Sequence, residues 1–85
     1  MWIWTKNTLW RFDEVVGLNL EKKSTKKDEY RITMLHPILG AQDVEMRKDA
    51  DGNYKTMTRE EAEAVCESLA TGDGRVAASF VRIVS

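Results

Sequence analysis

At Thr58 the hydrophobic period of this chain changes, and that change limits the fold more than any other feature. Upstream, apolar residues recur at every second position between turn-forming clusters; downstream, Ala62, Val65, Cys66 and Leu69 fall at i, i+3, i+4 and i+7. The first spacing lines one face of a pleated strand, and the second lines one stripe of an α-helix. Thr58 and Glu61 fit a capping box, in which each side chain satisfies a backbone amide of the first helical turn. Arg59, Glu60, Glu63 and Glu67 take the opposite, solvated side. Gly72 follows the last apolar position, where a left-handed residue closes a helix, so the helix is expected to end by about Thr71.

Before Thr58 the pattern predicts strands. Trp2 and Trp4 share a face of an opening strand, and Asn7-Thr8 turns the chain into Leu9 to Phe12. Val16, Leu18 and Leu20 alternate with Gly17, Asn19 and Glu21, a polar loop follows, and Tyr30, Ile32 and Met34 share a face of an antiparallel partner. Pro37 restricts His36 and lacks an amide donor, which stops that strand, and Gly40 extends the break. Val44 and Met46 then alternate with charged residues, and Asp51-Gly52 predicts a tight hairpin into a strand holding Tyr54 and Met57. The tail, Val76 to Ser85, is rich in β-branched residues with apolar groups on both faces, and predicts a closing strand.

The expected fold is therefore α+β: an antiparallel sheet of four or five strands, one amphipathic helix packed on one face, and a C-terminal β-strand. With 85 residues the chain is expected to form one domain over residues 1–85, burying roughly 60% of the surface its unfolded form exposes. Thirteen basic and fourteen acidic residues leave a net charge of −1, so no global field draws it to nucleic acid or to an anionic membrane. Cys66 is the single cysteine, which rules out an internal disulfide and points to the reducing cytoplasm. The opening residues carry neither a basic n-region nor a long apolar stretch, and no apolar run approaches the ~20 residues that span a bilayer. Export and membrane insertion are not expected.

No catalytic set is visible. His36 is the sole histidine and no nucleophile has a second base nearby, so it reads as a turn residue before proline. Cys66 lies on the buried stripe, where a thiol behaves as a small hydrophobe. Asp49, Asp51 and Asn53 are spaced like oxygen ligands, but the register of a calcium loop fails at Tyr54 and a hairpin turn is the better reading. No cofactor, metal or enzymatic activity is expected.

The informative side chains are the aromatic and β-branched ones. Three indoles, each able to bury on the order of 200 Å², exceed what so small a core can shelter. Trp2, Trp4 and Trp10, together with Phe80, Val81 and Ile83 of the tail, are therefore expected to form a contact surface for another protein or a second copy of the chain. Two alternatives come from other classes. Lys22, Lys23, Lys26 and Lys27 form a local basic cluster that could grip a phosphate chain while a tryptophan stacks on a base. A pocket between sheet and helix, lined by Trp10, Tyr30 and Tyr54, could instead hold a small molecule or nucleotide.

Met1-Trp2-Ile3-Trp4-Thr5, the segment Phe12 to Leu20 and the helix beginning Thr58-Arg59-Glu60-Glu61-Ala62 occur in an order that resembles short uncharacterised bacterial and phage proteins. Those open with a similar strand, continue through a small meander and close with a helix after a polar turn. The resemblance covers residues 1 to 71 and implies an α+β fold and no activity or site residues; the expected role, an interaction module acting as an accessory or phage-encoded regulator, rests on the surplus of aromatic and β-branched surface. The apolar tail after Gly74 departs from that pattern.

Overall fold

Ile3, Ile32, Met34, Met57, Val65 and Leu69, each at most 1% exposed, meet at the centre of the computed structural model, which describes residues 1–84. Each comes from a stretch whose periodicity allows one inward face. β1 (Trp2–Trp4) contributes Ile3 and turns Trp2 and Trp4 outward. β2 (Leu9–Arg11) pairs antiparallel with it, with Ile3 opposite Trp10 and Trp4 opposite Leu9. β3 (Gly17–Lys22) and β4 (Tyr30–His36) form the long hairpin, pairing Leu18 with Met34 and Leu20 with Ile32 on the core face. β5 (Gly40–Asp43) folds back on β4.

α1 (Arg59–Ala70) begins with the expected capping box: the Glu61 amide donates to Thr58 Oγ1 at 3.2 Å and the Thr58 amide donates to Glu61 Oε1 at 2.9 Å. Ala62, Val65 and Leu69 are buried against the core, joined by Ser68. Past Thr71 the chain turns left-handed at Gly72 (φ 77°), and the Gly72 amide donates to the Leu69 carbonyl. Both ends of the helix thus follow from side-chain and glycine chemistry already present in the sequence.

The sheet architecture departs from the expectation. Instead of one sheet of four or five strands there are two three-stranded antiparallel sheets, ordered β2-β1-β6 and β3-β4-β5, with β6 limited to Ile83–Val84. The tail does not form a strand from Val76. It first winds into a 3₁₀ turn over Ala77–Ser79: the Ala77 amide donates to Ser68 Oγ, and the Phe80 and Val81 amides both donate to the Ala77 carbonyl, which closes the turn between the fully buried Ala77 and Val81. The expected strands around Val44–Met46 and Tyr54–Met57 shrink to single bridges, Met46 with Val81, Lys48 with Tyr54 and Tyr30 with Met57. The strand after Pro37 starts at Gly40 itself: its φ of 76° supplies the tight turn and pairing resumes at once. Val16, expected inward, is 68% exposed and lies just before β3.

Candidate interaction face

β1 is the middle strand of its sheet, so its outward residues sit at the centre of a face. Directly opposite residues on neighbouring strands share a side, which places Leu9 beside Trp4, and Arg11 and Val84 beside Trp2. The Trp4 amide donates to the Arg82 carbonyl, bringing Arg82 level with Trp4; its guanidinium lies 4.2 Å from the Trp4 ring centroid. Trp2 (41% exposed), Leu9 (36%) and Val84 (45%) remain open to solvent. The rim carries both signs: Arg11 pairs with Asp13 at 3.0 Å and Arg82 with Glu45 at 3.3 Å. The face is apolar at its centre and electrically balanced at its edge.

The other residues expected on this surface point elsewhere. Trp10 lies opposite Ile3 on the inner side; its Nε1 donates to Thr5 Oγ1 at 2.8 Å and its ring tilts against His36 at 5.1 Å. Val81 is 0% exposed and belongs to the core, while Ile83 faces inward beside Ile3. Phe80 packs against the core with the Lys55 ammonium 6.0 Å from its ring. Of the six, only Trp2 and Trp4 share the outer face. Leu9, Val84 and Arg82, which complete it, were missed because only strand register brings them there.

Lys22, Lys23, Lys26 and Lys27 are all exposed around the β3–β4 loop, where Ser24 Oγ accepts from the Lys26 and Lys27 amides at 3.2 Å. The ring contacts of Trp4 and Trp10 are to other residues, Arg82 and His36. The three rings of the supposed small-molecule pocket are not assembled either. Tyr30 opens β4, whereas Trp10 touches His36 at its other end, about 20 Å away at ~3.3 Å per residue. Tyr54 lies out on the hairpin, 58% exposed, and Tyr30 stacks instead with Arg59, 5.6 Å from its centroid.

His36 Nδ1 accepts from the Ile38 and Leu39 amides, both at 3.2 Å, which makes it the scaffold of the β4–β5 turn. Asp49 Oδ1 accepts from the Asp51 and Asn53 amides at 2.9 and 3.0 Å and so builds the hairpin turn from within. Burial pushes the Cys66 thiol above its ordinary pKa, with Glu63 adding to the shift. Among the described residues no group of three or more His, Cys, Asp and Glu is arranged to hold a metal ion, and no helix is long and apolar enough to cross a membrane.

The chain matches no protein-family model, no curated protein and no solved structure.

Proposed function

We propose that this chain is a protein-interaction module that binds a second copy of itself through the outer face of the β2-β1-β6 sheet. The observation that carries the reading is the placement of Trp2 and Trp4 on one outward face with Leu9 and Val84 beside them. Covering such a cluster removes apolar area from water, and aromatic residues ringed by polar ones are the usual anchors of protein contacts. The balanced rim favours a second copy over a charged partner. Under a two-fold rotation, Arg11 or Arg82 of one copy can face Asp13 or Glu45 of the other without net repulsion. The body measures 33 × 26 × 25 Å, so reaching the ~800 Å² per partner of a standard interface takes a whole broad side, with Trp2, Trp4, Leu9 and Val84 as its apolar anchors. The role is one of binding rather than catalysis, in the cytoplasm, as an accessory or phage-encoded regulator.

Sedimentation equilibrium from about 1 to 100 μM, the range in which modest interfaces populate, tests the reading. A monomer–dimer equilibrium is expected, abolished in Leu9→Lys/Val84→Lys, whose fold, followed by far-UV circular dichroism, stays intact because both side chains are partly exposed. A wild-type chain that sediments as a monomer throughout, or a double variant that dimerises equally well, would overturn it.

A further inference from the structure

A second surface is built around Tyr54, on residues that strand periodicity does not bring together. Tyr54 is 58% exposed and stands where two open clefts meet, both floored by Glu45 and Met46. The larger, ≈ 540 Å³, is flanked by Arg47, Lys48 and Arg82. The smaller, ≈ 320 Å³, is flanked by Lys6 and Lys23. The Lys48 ammonium lies 5.1 Å from the Tyr54 ring centroid. Five cations from four separate parts of the chain thus surround one solvent-facing ring.

The two carboxylates in these clefts are already engaged. Glu45 is held by Arg82 at 3.3 Å, and Asp43 by Arg31 at 3.4 Å. Lys6, Lys23, Arg47 and Lys48 have no carboxylate partner among the described residues. Arg47 donates to the Ala78 carbonyl at 2.9 Å, which fixes its side chain and leaves its charge uncompensated. The overall charge of −1 therefore conceals a strip that is locally positive.

We propose that this strip binds single-stranded nucleic acid, with backbone phosphates along Lys6, Lys23, Arg47 and Lys48 and one base stacked on Tyr54. Cations at intervals along a groove follow a phosphate chain, and an exposed ring among them offers sequence-independent stacking. A duplex hides its base faces and gains nothing from the ring. Of the lysine loop, only Lys23 lines the clefts, so the surface differs from the cluster that the sequence singles out. It is also distinct from the tryptophan face, which it adjoins at Arg82 and Glu45.

Fluorescence anisotropy with labelled oligo-dT of ~15 nucleotides, near the upper site size of small single-strand binders, tests the proposal. Four uncompensated cations give a slope of about −2.8 in log K against log salt, hence a ~50-fold loss of affinity between 50 and 200 mM salt. Lys6→Ala/Lys48→Ala lowers that slope by about 1.4. Tyr54→Ala weakens binding by about 5- to 150-fold, whereas Tyr54→Phe, which keeps the ring, stays within about 2-fold of wild type. A duplex of matching length binds more weakly and does not distinguish Tyr54→Ala from wild type. Absence of binding at 50 mM salt would overturn the proposal, as would equal affinity for Tyr54→Ala and Tyr54→Phe. So would binding that survives Lys6→Ala/Lys48→Ala but is lost in Lys26→Ala/Lys27→Ala, which would move the site to the β3–β4 loop.

Discussion

Two buried hydroxyls in this molecule should respond to deletion with opposite signs. Thr33, in the middle of β4, is 2% exposed, and its Oγ1 has no hydrogen-bond partner among the described residues. Ser68, on α1, is 7% exposed, and its Oγ accepts from the buried Ala77 amide at 3.2 Å, pinning the 3₁₀ turn of the tail to the helix. Thr33→Val removes a desolvated group that gains nothing in return and keeps the branched shape a strand prefers. The expected gain is ~1 kcal/mol, within the 1–3 kcal/mol that an unsatisfied buried polar group costs. Ser68→Ala leaves the Ala77 amide unpaired in the core at the same 1–3 kcal/mol, offset by the ~0.5 kcal/mol higher helix propensity of alanine. The expected net loss is about 0.5–2.5 kcal/mol. Urea denaturation resolves both if the slope is unchanged and only the midpoint moves. In a domain of this length each kcal/mol also shifts Tm by about 4–8 °C. Hydrogen exchange adds a local reading, since the Ala77 amide should lose protection in Ser68→Ala. A destabilised Thr33→Val would show that the hydroxyl is bonded after all. A Ser68→Ala chain as stable as wild type, with Ala77 still protected, would refute the role given to Ser68.

Three further outcomes are expected. Thr58→Ala removes the acceptor of the Glu61 amide and should cost ~1 kcal/mol in thermal unfolding, with a smaller loss if the site is changed to Ser. Gly74→Ala should cost more than Gly72→Ala. Both glycines have φ above 70°, but a Cβ at Gly74 would meet Ile83 Cδ1 at 3.3 Å while one at Gly72 meets open space; Gly72→Ala then shows only the ~1–2 kcal/mol backbone cost, and equal midpoints in urea would refute the distinction. Burial raises the Cys66 pKa in the folded chain above its unfolded value, chiefly by desolvation and secondarily through Glu63. The stability held by the neutral thiol is therefore fully present below the ordinary thiol range and is lost as pH rises through the folded value. Alkylation by iodoacetamide should be slower in the native protein than in urea at neutral pH, with its rate rising at higher pH than for the unfolded chain; equal rate profiles would show that burial does not govern the thiol.

Much of this architecture could be read from residue order. The helix, both of its ends, the β1–β2 and β3–β4 hairpins and the inward set Ile32, Met34, Val65 and Leu69 all follow from local chemistry: a capping pair, a left-handed glycine, and periods of two and 3.6. What escaped depends on partners distant in the chain. Alternation at Val44–Met46 looks like a strand, yet the Glu45 backbone bonds Trp4 and Arg82 from two other segments and leaves no continuous ladder. The tail has strand composition, but Ala77 is drawn to Ser68, and the 3₁₀ turn that results takes up Ala77–Ser79. The interaction face was half visible. Trp2 and Trp4 were grouped by their period of two, whereas Trp10 was grouped with them by residue type although Thr5 and His36 hold it inside. The strip around Tyr54 could not be found by composition, because its cations are spread over residues 6 to 82 and their sum is hidden in a near-neutral total.

The pairing of β1 with β6 joins Trp2 to Val84, so during synthesis β1 waits for residues made some eighty positions later. At the usual ~5–20 residues per second that interval is about 4–16 s. Throughout it, Ile3 has no complete core to enter and two indoles lie on an unclosed ribbon with a free edge, open to wrong partners. Closing residues far apart in sequence also slows folding itself. The same closure brings residues 2 and 84 side by side in one sheet, so a short linker between them, with a new opening at the exposed Asp13–Glu14 ahead of β3, would give a permuted chain in which the long hairpin is made before the indole-bearing ribbon.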